Sequence, residues 1–362
     1  MSRSFQRRLM GGMLLFYAIG LVPSALAKVD YSKMISQMQE EFGESYDRHS
    51  IVFFDRVKVQ QQFDALSAEN EELLKARQDQ IVTDYVEQKV GFSLEPSNAD
   101  LLTEYFKMNI AVAVPVKKRS GERLCAIFSA NAGSSAEEDS QRLLYWNQMK
   151  GHVAEYEGVE LPVVLSSEDL FELSLYHETF HCLDSYYIVK QDTYDYENEE
   201  TVHKAESYAE VGALLYLAVN KQKTQLAESR ALYRIVGSYM AAKYGDELIG
   251  PNPYPDINFG VVYSFYPAMF AAQDHIDAGV AGLSLNEIRE LAFEIVEQKA
   301  FTSTQMHAIG QYQKNPESQA ELIEKFKNDD NESFAQRFRD VERFRDEYVE
   351  VLQWAFSELF SN

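Results

Sequence analysis

The sequence predicts a mainly helical α+β fold, on three observations. Long stretches outside the middle of the chain, among them Val59 to Val90 and Glu332 to Leu359, repeat apolar residues at helical spacing. Between Ile110 and Ala130 two β-rich apolar arms flank Lys117 to Glu122, with Gly121 at the turn, the pattern of a hairpin. Leu170 to Tyr187, reading LFELSLYHETFHCLDSYY, is apolar on nearly every side yet carries two histidines, which marks a buried helix whose polar groups need partners.

Met1 to Ala27 has the form of a secretory signal peptide: Arg3, Arg7 and Arg8, an apolar run from Leu9 to Val22, then Ala25-Leu26-Ala27. The mature chain is expected to begin at Lys28 and to be exported, either periplasmic or secreted. The apolar run is too short to span a bilayer comfortably, and no later stretch approaches the roughly 20 apolar residues of a membrane helix, so no membrane anchor is expected. Cleavage removes three arginines and no acids, taking the net charge from -23 to -26. Such acidity excludes nucleic acid as a partner and argues against anionic membranes.

Residues 28–108 read as a helical N-terminal region, a scaffold or prodomain-like segment: a short helix over Tyr31 to Phe42, then one long run from Val59 to Val90 carrying Phe63, Leu66, Leu73, Ile81 and Tyr85. Residues 109–220 form the expected core, beginning with the hairpin. Ser166 and Asp169 fit a capping box, so the buried helix starts near Ser167.

Within that helix His177-Glu178-Thr179-Phe180-His181 is an HExxH pattern. His177 and His181 lie ~40° apart on one face, one turn above each other, so both imidazoles can bind one metal. Glu178 stands ~100° round from His177, off the metal but close enough to take a proton from a water activated there. Zinc suits imidazole and carboxylate ligands and is the expected ion.

Downstream, His203 to Leu217 reads as a second amphipathic helix with Glu206 and Glu210 one turn apart on one face. From Ser166 to Leu217 the chain resembles the gluzincin metallopeptidases, the thermolysin-like zincins, in which HExxH supplies two ligands and a Glu on the next long helix the third. The resemblance implies a zincin-like catalytic core with His177, His181 and Glu206 as zinc ligands, Glu178 as general base and Glu210 as an acid behind His177. Glu210 as the ligand, with Glu206 outside it, stays open. So does Asp184, at i+7 from His177, as a ligand or, by preference, as a group that orients a ligand. The metzincin extension is absent, since CLDSYYIV follows His181. The resemblance further implies that one arm of the hairpin pairs with extended substrate, and that a Tyr or His stabilises the oxyanion. Tyr263, Tyr266 and His275 are the candidates.

Cys125 and Cys182 are the only cysteines; in an exported chain an even pair suggests a disulfide, with two buried thiols as the alternative. Lys190 to Thr201 is an acidic linker, read as a solvated loop, a calcium site or a preference for cationic substrate. Residues 221–362 form a helical C-terminal region. It opens with a helix over Glu228 to Leu248 and a Pro/Gly-rich loop from Gly250 to Gly260, and Asn315-Pro316 divides two later helices. The expected function is an exported zinc peptidase cleaving peptide or protein substrate. The alternatives are a zinc-containing envelope protein without turnover, and zinc hydrolysis of a non-peptide substrate.

Overall fold

Side-chain caps start most of the helices. Oxygens of Asp30, Asp55, Asn70, Ser166, Ser284, Thr302 and Asn315 each accept the backbone N–H three residues on, satisfying a donor that the helix leaves free. The computed structural model describes residues 30–43, 49–67, 70–108, 111–129, 165–187, 199–248 and 259–360. The expected leader over 1–27, most of the acidic linker and most of the Pro/Gly-rich loop lie outside the described residues.

In chain order the elements are α1 (Tyr31–Phe42), β1 (His49–Phe53), α2 (Arg56–Asp64), α3 (Glu71–Val90), α4 (Pro96–Met108), β2 (Val112–Lys117) and β3 (Arg123–Phe128). Next come α5 (Ser167–Leu183), α6 (Glu199–Lys221), α7 (Leu226–Leu248), α8 (Phe259–Val262) and α9 (Tyr266–Ala278). The chain closes with α10 (Leu285–Lys299), α11 (Ser303–Lys314), α12 (Pro316–Phe326) and α13 (Glu332–Phe360). Among the described residues the architecture is mainly helical with one small sheet. No described helix is long and apolar enough to cross a membrane.

Two features depart from the sequence reading. The run from Val59 to Val90 is two helices, because α2 ends at Asp64 and Asn70 caps a new start by accepting the Leu73 N–H. The hairpin is also joined by a third strand. β1 lies parallel to β3, and β2 antiparallel to it, in the order β1-β3-β2. A parallel partner is contributed by distant sequence, so no turn signal announces it.

The sheet is buried on both faces. Val52, Val114, Val116, Leu124, Ala126 and Phe128 pack with α2, α3 and α4, while Ile51, Phe53, Cys125 and Ile127 turn towards the main core around α5 and α6. Cys125 is bonded to Cys182 at the end of α5, with Cα atoms 5.8 Å apart. Closing a 57-residue separation stabilises by roughly 4 kcal/mol in the chain-entropy account. On the other side α1 is clipped to both long helices, since Glu41 accepts the hydroxyls of Tyr176 on α5 and Tyr216 on α6.

α5 and α6 approach closely at one point. A Cβ on Gly212 would run into the Phe180 ring, so glycine there sets the separation of the two helices. α6 is then walled in by α9 and α10. His203 fastens it further. Its Nδ1 donates to the Val262 carbonyl at 2.7 Å and its Nε2 accepts the Phe301 N–H at 3.0 Å. Burial pushes this imidazole down to about 4, so it is a neutral structural group.

Candidate metal centre

The side chains of His177 and His181 leave α5 one turn apart and meet Glu206 from α6. Nε2 of His177 is 3.1 Å from Nε2 of His181; Oε2 of Glu206 is 3.3 Å from the first and 3.5 Å from the second. All three residues are buried. They are the one group of His, Cys, Asp or Glu side chains among the described residues placed to hold a metal ion.

The donor set can be tested against a cation. Two imidazole nitrogens and a carboxylate oxygen all present lone pairs to one point, which is unfavourable in a buried site unless a proton or a metal stands there. Ligand atoms around a tetrahedral ion with bonds of about 2.0–2.1 Å lie roughly 3.4 Å apart. The three observed spacings bracket that value, so the residues fit a metal without rearrangement.

Without a metal the positive charge is a proton. Burial opposes the charged form of His177, but close contact with the Glu206 and Glu210 carboxylates, and the charge of Glu210, outweigh it and raise the group to about 9. Burial would likewise raise Glu206, yet the charge of His181 and contacts with both histidines hold it well below the usual carboxylate range.

Behind His177 stands a buried charge network. Oε2 of Glu210 lies 2.8 Å from Nδ1 of His177, close but poorly aligned for a hydrogen bond. Glu210 is fully enclosed and also takes Nε of Arg230 at 2.5 Å and Nη2 of Arg234 at 2.9 Å, both from α7. Despite burial, the two guanidinium groups hold it well below its ordinary range. A fixed acid on Nδ1 leaves Nε2 as the metal-binding nitrogen.

Glu178 points elsewhere. Its carboxylate accepts the backbone N–H of Ala113 on β2, and burial raises its pKa against the pull of the two histidines. Among the described residues β2 is an edge strand, and its odd-numbered residues turn their backbone away from β3. The Ala113 N–H goes to Glu178, the Lys117 carbonyl accepts from Asn98, and the ladder resumes with Lys118 N–H donating to the Glu122 carbonyl.

Of the other residues singled out from sequence, Asp184 does not join the cluster. The helix ends at Leu183, Asp184 is extended (φ -68, ψ 119), and its Oδ1 accepts the N–H groups of Tyr186 and Tyr187. The i+7 argument required the helix to continue. Tyr263 lies under the Arg234 guanidinium, 5.6 Å from its ring centre, at the border of the charge network. Tyr266 is not brought there. It is packed among Phe270, Phe301 and Tyr348, and His275 is exposed in the last turn of α9.

Sequence reasoning missed Arg230 and Arg234. Their one local signal is the i, i+4 spacing of two arginines, which matches that of Glu206 and Glu210. It also missed the Ala113 amide, which no side-chain pattern reveals.

Fold and site together define a buried two-histidine, one-carboxylate centre between two long helices, with a further acid against a sheet edge. Compared with known proteins, the chain matches no family model, no curated protein and no solved structure.

Proposed function

We propose that the chain is an exported zinc-dependent peptidase. The observation that carries this reading is the convergence of His177, His181 and Glu206, with Glu178 one residue along the same helix and held by a separate donor. Such a donor set favours zinc among the common ions, and zinc when bound supplies a Lewis acid for a carbonyl oxygen and lowers the pKa of water to about 7.

In this reading Glu178 accepts the proton of the attacking water and returns it to the leaving amine. Glu210, fixed by Arg230 and Arg234, keeps Nε2 of His177 directed at the centre. Extended substrate adds to β2, where the carbonyls of Ala113 and Pro115 face outward; the Ala113 N–H is committed to Glu178 and Pro115 has none. Tyr263 is the oxyanion candidate nearest the charge network. Export is supported by the basic and apolar start of the chain and by the disulfide.

The test is a peptide-library digest by the zinc-loaded mature protein and its Glu178→Gln variant. Cleavage abolished by Glu178→Gln with zinc retained supports the reading. Zinc retained with no cleavage by either protein supports a zinc-containing protein without turnover.

A further inference from the structure

α5 carries two pairs of residues at i and i+4, and each pair faces a different neighbour. His177 and His181 face α6, where Glu206 and Glu210 stand. Glu178 and Cys182, rotated ~100° from them, share a second face. That face looks onto the sheet: Glu178 accepts the Ala113 N–H of β2, and Cys182 is bonded to Cys125 of β3.

The spacings are compatible. Ala113 lies opposite Ile127 and Pro115 opposite Cys125, so the two sheet attachments stand on neighbouring strands and two residues apart along them, roughly 8 Å in all. Glu178 and Cys182 are four residues apart on the helix, about 6 Å. Helix and sheet are therefore joined by two rungs one helical turn apart, one a hydrogen bond and one covalent.

We propose that the Ala113 N–H and the Cys125–Cys182 disulfide form a positioning device for Glu178, mechanically separate from the contact that sets the metal ligands. The ligands depend on α5 meeting α6 at Gly212 and Phe180. The acid depends on α5 meeting β2 and β3. The role of Glu178 as a base rests on the peptidase reading, but its placement by these two rungs does not.

The experiment uses the mature protein and a Cys125→Ser/Cys182→Ser variant. Amide hydrogen exchange at Ala113 and zinc affinity by chelator competition are measured on both, with kcat and KM on any cleaved peptide. The expected result is exchange at Ala113 faster by about tenfold or more than in wild type, amides of α6 unchanged, and zinc affinity within about threefold. Cleavage should lose roughly 10- to 100-fold in kcat with KM little changed.

Ala113→Pro removes the donor and leaves the disulfide. Its backbone faces away from β3, as does that of Pro115, so the strand can accept proline there. It should reproduce the kcat loss with zinc retained, whereas Ala113→Gly, which keeps the N–H, should not. Unchanged exchange at Ala113 in the cysteine variant, or zinc affinity falling along with it, would overturn the proposal. A wild type that binds no zinc or cleaves nothing would sink the peptidase reading, while the exchange measurement would still decide the placement of Glu178.

Discussion

Glu210 and His177 are held 2.8 Å apart, carboxylate oxygen to Nδ1, at a point where the acid has no exposure to solvent. That contact joins the candidate metal centre to a pair of arginines on α7, and it makes Glu210 answerable to two separate measurements. Glu210→Gln keeps the shape but removes the charge that orients His177, and zinc affinity should fall about 10- to 100-fold by chelator competition. Glu210→Ala also strands Arg230 and Arg234, both within hydrogen-bond reach of the acid. It should lower stability by about 3–5 kcal/mol in denaturant unfolding, the usual cost of leaving a buried charge unpaired.

Zinc uptake should release a proton. In the metal-free protein His177 is raised to about 9, so at pH 7 it is protonated, whereas a metal ligand must be neutral. Titration of zinc into weakly buffered protein should liberate about one proton per zinc from this residue near pH 7. The yield should fall as pH rises through about 9 and vanish above it, while zinc affinity climbs with pH below about 9 and levels off above it. No pH dependence of proton release would contradict the assignment of the charge to His177.

Gly212→Ala tests the helix contact that brings Glu206 to the histidines. The added methyl group meets Phe180, itself fully buried, so either the ring or the helix must move. Overpacking of this kind costs about 1–3 kcal/mol. The variant should melt earlier and bind zinc more weakly than wild type, although residue 212 touches no ligand atom.

In the proposed peptidase, the edge of β2 would set a requirement on substrate. With carbonyls but no free N–H at Ala113 and Pro115, the strand can accept hydrogen bonds at these two residues and not donate them. An N-methyl scan along a cleaved peptide should therefore find two sensitive positions, two residues apart, each losing about tenfold in kcat/KM. A scan with uniform small effects would remove β2 from the substrate path.

How far the sequence could be read depends on how local each signal is. HExxH places His177 and His181 through the geometry of one helix, and Ser166 with Asp169 starts that helix where the spacing says it should. The hairpin was equally legible, from two apolar arms and a glycine at φ 92 between them. β1 was not, because its partner β3 is some 70 residues away and its pairing depends on tertiary packing. Arg230 and Arg234 were hidden for the same reason: each is unremarkable alone, and only the fold of α7 against α6 places both on Glu210. Asp184 marks the opposite limit, because the helix stops one residue before it and helical periodicity no longer places its side chain.

The most direct test of the central claim is zinc content, by elemental analysis of the mature protein alongside its Glu206→Ala and Glu210→Ala variants. The centre formed by His177, His181 and Glu206 should hold about one zinc per chain, lost in Glu206→Ala and weakened but present in Glu210→Ala. Protein that takes up no zinc at micromolar concentration, or a Glu206→Ala variant that binds it as tightly as wild type, would contradict the account.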